Sequence, residues 1–247
     1  MIRIRQASSA DLPWIQAIVL SSNVDSSNPL FTYCFPHRKA YPQDHAYFYF
    51  KLKLEPMIYK KHGIVLVAES STVDPDGSER WSPVGMAEWT WGSTEGTAPP
   101  VSCLTDTWYK YYHRKYLDFR NFIIRYRFPR RDIDSAHENA FYATLSQVED
   151  EFWRPGYPQV MQLNALYTHS EAWGKGVGSA LVQWGLEIAG KAHVPAIVAT
   201  VSAARFYEKL GFRHICKKRI QVEGEDDYVD MDNLIWTVPL TAKDPSS

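Results

Sequence analysis

Ile2-Arg3-Ile4-Arg5-Gln6-Ala7 alternates apolar and polar side chains, the period of a half-buried strand. Ser8-Ser9-Ala10-Asp11 then offers an N-cap residue and an acid for a first helical turn, so a helix is expected over about residues 11–20. Residues 21–28 are rich in Ser, Asn and Asp and run into Pro29. The aromatic run Leu30, Phe31, Tyr33 and Phe35, closed by Pro36, reads as a structured loop. Between Gln43 and His62 β-branched residues are few and a broad apolar stripe (Phe48, Leu52, Met57, Ile58) leads to Gly63, which predicts a helix stopped by glycine. Ile64-Val65-Leu66-Val67-Ala68-Glu69 is apolar on both faces and therefore an interior strand. Turn chemistry at Asp74-Pro75-Asp76-Gly77 sends the next strand, Val84 to Trp91, back across it as an antiparallel hairpin with a long tip.

From Gly96 to Gly156 the pattern changes to a Pro99-Pro100 break, an aromatic and basic run, and an acidic helical stretch reaching Asp150 and Glu151. We read 96–156 as an insertion, helical and on the substrate side, within a single domain spanning 1–247. Strand periodicity resumes over Met161–Thr168, a helix follows from Gly176 to Gly190, and Pro195 precedes the apolar strand Ala196–Val201. A last helix from Ala203 to Leu210 stops at Gly211, and Leu234–Val238 closes the sheet before a polar tail.

With 45% hydrophobic residues in 247, the chain has ample material for a core, which excludes disorder as its dominant state. Lys and Arg total 27 against 28 acids, so the formal charge of −1 supplies no global attraction to nucleic acid or to an anionic membrane. Residues 108–131 hold eight Lys or Arg and one acid, whereas 132–151 hold six acids and no base, which predicts two packed helices compensating each other. No apolar window has the length of a membrane helix and the start lacks a secretory h-region, so the expectation is a cytoplasmic protein. Cys34, Cys103 and Cys216 lie far apart without CxxC spacing, so neither a disulfide framework nor a zinc site is expected.

The sharpest local chemistry is Trp173-Gly174-Lys175-Gly176-Val177-Gly178-Ser179, set between a strand and a helix whose Val177, Ala180, Leu181, Trp184 and Ile188 recur at helical spacing. Glycines at a helix N-terminus let a ligand approach the backbone, and the free N–H groups there favour an anion such as phosphate. A Walker A loop needs Ser or Thr after the Lys, where Gly176 stands, and a dinucleotide GxGxxG needs glycine at Ser179, so neither fits.

Residues 163–181 resemble motif A of the GNAT superfamily of acetyl-CoA-dependent N-acetyltransferases. The run Ala203-Ala204-Arg205-Phe206-Tyr207-Glu208-Lys209-Leu210-Gly211-Phe212 is similar to that superfamily's motif B, with its A-x-x-x-Y-x-K-x-G-F pattern. The resemblance covers about 161–216. It implies an α/β (α+β) GNAT fold, a mixed central sheet flanked by helices and splayed between strands 4 and 5, the strands at Met161–Thr168 and Ala196–Val201. Acetyl-CoA would be the co-substrate, with no metal required. Its pantetheine arm would lie along main chain at Leu166, Tyr167 and Thr168, and its diphosphate on the backbone of Gly174, Lys175, Gly176, Val177, Gly178 and Ser179. Tyr207 would act as general acid for the departing thiolate.

Trp173 stands where the motif has Gln or Arg, and Thr200 where motif B often has Asn; both, with Ala203, are expected at the cofactor. Gln162 aligns with a position that carries a catalytic Glu in some members, and an amide cannot take the proton, so no base is assigned. Gln162 and Asn164 share a strand face and could hold a water that passes the proton to Glu88 or a histidine. Acceptor specificity should come from the first loop, the hairpin and the insertion, with Tyr33, Phe35, Glu88, Trp89, Gln162 and Asn164 as substrate-binding candidates and Trp91, Trp108, Tyr109, Tyr111 and Tyr112 as further aromatics. The expected activity is acetyl transfer to a small-molecule amine by direct attack, in a monomer or homodimer without nucleic-acid or membrane partners. A protein or peptide N-acetyltransferase and a catalytically impaired acyl-CoA binder are the alternatives.

Overall fold

The computed structural model describes residues 1–24, 28–73 and 76–238, with the backbone alone at 22–24. Strand β1 (Ile2–Gln6) leads through a turn at Ser9–Asp11, closed by a reciprocal Ser8 and Asp11 capping box, into α1 (Leu12–Val24). The segment read as a structured loop is in fact helical at its start: Asn28 caps α2 (Pro29–Cys34), with Pro29 at a position where a missing N–H costs nothing. The single helix expected before Gly63 is α3 (Pro42–Tyr49) and α4 (Glu55–Ile58), joined by a π-helical turn over Phe50–Leu54. Strands β2 (Gly63–Val73) and β3 (Glu79–Ser93) form the hairpin. Asp74 and Pro75 of its expected turn lie outside the described residues, and Gly77 takes a left-handed φ of 83°.

The segment 96–156 contains the long α5 (Trp108–Arg127), α6 (Ser135–Val148) and the short α7 (Arg154–Gly156). Strand β4 (Gln159–Thr168) follows, then α8 (Val177–Ala192), β5 (Ala196–Thr200), α9 (Ala204–Lys209), β6 (Arg213–Gln221) and β7 (Tyr228–Trp236). The seven strands form one sheet in the order β1-β2-β3-β4-β5-β7-β6, antiparallel except for β4 beside β5. One face is covered by α8 and α9, the other by α1, α3 and α4 over β2 to β4 and by α2 and α6 over β5 to β7. Among the described residues no helix is long and apolar enough to cross a membrane.

Two features of β4 position the site. Its register against β3 slips by one between Glu88 opposite Ala165 and Trp89 opposite Leu163, which leaves Asn164 as a bulge residue. Beyond that bulge β4 parts from its other neighbour, for β5 pairs only with Met161, Gln162 and Leu163 while β4 continues to Thr168. The expected splay between strands 4 and 5 is thus present, and it leaves one edge of β4 open.

The expected compensation between two packed helices is not what forms: Arg130 of the basic stretch does pair with Asp132 of the acidic one at 2.6 Å, but in the link between α5 and α6. The bases of α5 pair with the N-terminal half, Arg120 with Glu55 at 2.7 Å, or with the segment just before the helix, Arg114 with Asp106 at 2.6 Å. Glu138 of α6 pairs with Lys53 at 2.7 Å and Glu151 with Lys218 at 2.5 Å. Composition fixed the charge balance of the two stretches but not the partners.

Candidate active site

The chain leaves β4 through a turn at Ser170–Ala172 and enters α8 through two glycines in the left-handed region, Gly174 at φ 73° and Gly176 at φ 80°. A side chain at either would meet nothing within 4 Å, so left-handed backbone, not crowding, is what selects glycine there, and the space above stays open to a ligand. Gly176 is the N-cap, and the amides of Val177, Gly178 and Ser179 find no acceptor among the described residues. At Gly178 a Cβ would stand 3.4 Å from Phe206 and 3.8 Å from Thr168, which places the tip of α8 between the end of β4 and α9. Amide donors and a helix dipole therefore face one exposed spot whose chemistry suits an anion such as a diphosphate, and the turn that leads to it carries an exposed Lys175.

Trp173 does something the sequence did not show. Its indole is exposed, and Nε1–H donates to the Thr168 carbonyl at 3.1 Å, so the residue in place of a polar phosphate contact ties the glycine turn to the open edge of β4. Thr200 is also engaged: its Oγ1 accepts the amides of Ala203 at 3.1 Å and Ser202 at 3.4 Å, holding the loop into α9. Leu166, Tyr167 and Thr168 are half-buried along the splayed edge. Tyr207, on α9, is buried between Phe206 and Phe212, and burial, with Tyr167 nearby, pushes its phenol above the ordinary range. A phenol so raised stays protonated at neutral pH and can donate.

On the opposite side of the sheet lies a cavity of about 640 Å³ whose walls come from α2, the α3 to α4 run, β3, β4, α5 and α6. Glu88 is buried at its floor and accepts from Lys60 Nζ at 2.9 Å. Asn164, the bulge residue, donates to Thr90 Oγ1 at 2.9 Å and also lines it. Tyr49 and Tyr167 stand side by side there, and burial, reinforced by Tyr167, holds the Tyr49 phenol well above its ordinary value. A smaller cavity of about 160 Å³ adjoins, sharing Leu145 and lined by Gln162 and Asn233.

Of the substrate-side candidates, Phe35, Glu88 and Asn164 line the large cavity and Gln162 the small one. Trp89 does not belong to the cavity. Strand alternation turns it to the α8 face, where it is fully buried and donates to the Leu181 carbonyl at 3.3 Å. Tyr33 is also absent from the wall, because α2 turns it onto His137, with ring centroids 3.9 Å apart. Trp91 is buried in the core, and Trp108, Tyr109, Tyr111 and Tyr112 point outward from α5. Tyr49, Lys60, Asp118, Glu138 and Phe141 line the cavity without having been singled out, since each reads as an ordinary amphipathic-helix position until the helices are placed.

A family model described as an acetyltransferase (GNAT) domain matches residues 137–214, beginning inside α6 and ending past motif B. A probable acyltransferase, SID5, of Ajellomyces capsulatus is 29% identical over 124 residues, 48% of this chain and 88% of that protein. Among solved structures, a Drosophila melanogaster polyamine N-acetyltransferase superposes with a TM-score of 0.57 at 12% identity, over 96% of this chain and 100% of its own. A Corynebacterium glutamicum protein described as histone acetyltransferase HPA2 and related acetyltransferase superposes with a TM-score of 0.53 at 21% identity, over 98% of this chain and 99% of its own.

Proposed function

We propose that this chain, a GNAT acetyltransferase by its matched domain and its fold, transfers acetyl from acetyl-CoA to the amine of a small molecule. The observation that carries this reading is the juxtaposition of an open glycine cradle at the tip of α8, an unpaired edge of β4 and a roofed cavity reached across that edge. Bound acetyl-CoA supplies an activated acyl group as a thioester. The Gly174 to Ser179 turn holds its diphosphate through the free amides of Val177, Gly178 and Ser179 and the Lys175 ammonium, and the main chain of Leu166, Tyr167 and Thr168 takes its pantetheine arm as an added strand. Trp173 contributes through its bond to Thr168 and an exposed indole face, and Thr200 with Ala203 shapes the far wall.

The amine enters the cavity, where Phe35 supplies an apolar wall and Asn164 and Glu88 supply polar contacts beside the bulge. Glu88, opposite Ala165, receives the proton lost by the attacking amine, directly or through one water. A main-chain N–H at the open edge of β4 is available to the developing oxyanion, and Tyr207 protonates the departing sulfur. A peptide acceptor would require an open groove where α5 and α6 roof the cavity, so the small-amine reading is preferred.

The test is release of free coenzyme A thiol with a panel of small amines and peptides, with product masses checked for one added acetyl group. Turnover with a small amine and not with peptides supports the proposal. Tight acetyl-CoA binding without thiol release from any acceptor would identify a binder in place of an enzyme.

A further inference from the structure

Helix α5 presents an apolar face that nothing among the described residues covers. Trp108, Tyr112, Tyr116, Phe119, Phe122 and Tyr126 are each between 61% and 83% exposed. At about 100° per residue they fall within an arc of about 120°, one continuous stripe along the helix. The opposite face, with Leu117 and Ile124, is buried against the domain. Six large side chains in one row exceed the scattered apolar exposure of an ordinary surface, and contiguous patches of this kind mark interaction sites.

The chemistry of the stripe indicates what covers it. Lys115 lies within the same arc and Arg127 flanks it, and neither has a carboxylate at ion-pair distance among the described residues, whereas Arg114 and Arg120 do. Asp118 is the one acid on the helix, so the unpaired charge here is positive. A second copy of α5 would bring the same excess of positive charge against itself. It would also bury the hydroxyls of Tyr112, Tyr116 and Tyr126 in a seam that offers them few partners. Lipid headgroups suit both features: Trp and Tyr place rings below the polar layer with their polar atoms still wet, and anionic headgroups meet the bases.

We propose that α5 docks the protein peripherally on an anionic lipid surface, with the stripe in the interface and Lys115 and Arg127 on the headgroups. This revises the expectation of no membrane partner, which rested on the charge of the whole chain; the attraction is local. The inference does not depend on the reaction catalysed. Because Arg114, Leu117, Asp118 and Arg125 line the large cavity from the same helix, docking would hold that cavity close to the bilayer.

The test is sedimentation of the full chain with phosphatidylcholine vesicles containing or lacking phosphatidylserine, alongside light scattering of the free protein. The expected result is binding to the mixed vesicles alone, weakening as salt is raised. The triple variant Tyr112→Ser, Phe119→Ser, Tyr126→Ser should bind at least about tenfold more weakly while keeping the wild-type melting temperature and coenzyme A affinity. No vesicle binding at low salt, or equal binding by the triple variant, would overturn the proposal. So would a wild-type dimer that the triple variant converts to monomer, which would assign the stripe to a second copy.

Discussion

The indole of Trp89 packs directly against the backbone of Gly185: a Cβ built on that glycine would stand 2.3 Å from the nearest ring carbons. No side chain fits there, so α8 can approach β3 this closely only at glycine. Gly185→Ala is therefore expected to destabilise the fold by about 1–3 kcal/mol from overpacking, despite the roughly 1 kcal/mol that alanine gains in a helix interior. Gly190→Ala is the control, since its Cβ would meet Trp236 at an ordinary 3.7 Å; it should be neutral or mildly stabilising. Urea midpoints of the two variants measure both.

Stability on the acid side should depend on Asp132. Burial by itself would raise the pKa of this carboxyl, but hydrogen bonds from His45 at 2.8 Å and Arg130 at 2.6 Å outweigh it and hold the pKa at about 2 instead of 3.8. A pKa lowered by folding stabilises above the unfolded value and is lost as pH falls. The contribution, about 2 kcal/mol, should be present above pH 3.8 and disappear towards pH 2. Asp132→Asn should flatten that part of the stability profile and, by stranding Arg130, cost about 3 kcal/mol at neutral pH. Urea unfolding across the window reads both effects.

Tyr207→Phe removes the proposed proton donor and keeps its ring between Phe206 and Phe212. Turnover at saturating substrate should fall about a hundredfold or more, with coenzyme A affinity within about twofold of wild type. An unchanged turnover number would return Tyr207 to a packing role.

Glu88→Gln keeps the shape of the cavity floor and removes the negative charge that faces Lys60. The expected outcome is a loss of about tenfold or more in kcat/KM for the amine, with acetyl-CoA binding unaffected. Equal losses for both substrates would place Glu88 outside the acceptor site.

Those residues differ in how far the sequence revealed them. The left-handed glycine turn into α8 was legible because its pattern is local, with Gly174, Gly176 and Gly178 in one short stretch, and the motif from which Tyr207 is proposed as proton donor is equally local. The splay followed only from the resemblance, and the bulge at Asn164 that precedes it is a matter of register against β3, which no local pattern encodes. Trp89 was misplaced since alternation fixes that neighbours point apart but not which face meets the helix. Strand β6 went unseen because Arg213, His214, Lys217, Lys218 and Arg219 give it the polar, basic look of a loop, the composition an edge strand uses to discourage further pairing. The cavity's roof depends on where α5 and α6 dock, through contacts such as Lys53 with Glu138 that are distant in sequence.

The central claim is that the turn from Gly174 to Ser179 receives the diphosphate of coenzyme A, and calorimetry tests it most directly. Wild-type protein should bind coenzyme A, and Gly176→Leu, which puts a side chain into the open space at φ 80°, should bind at least about tenfold more weakly. The strain of a left-handed leucine, about 1–2 kcal/mol, should show separately as a lower melting temperature. Absence of binding by the folded wild type, or equal affinity in the Gly176→Leu variant, would contradict the account.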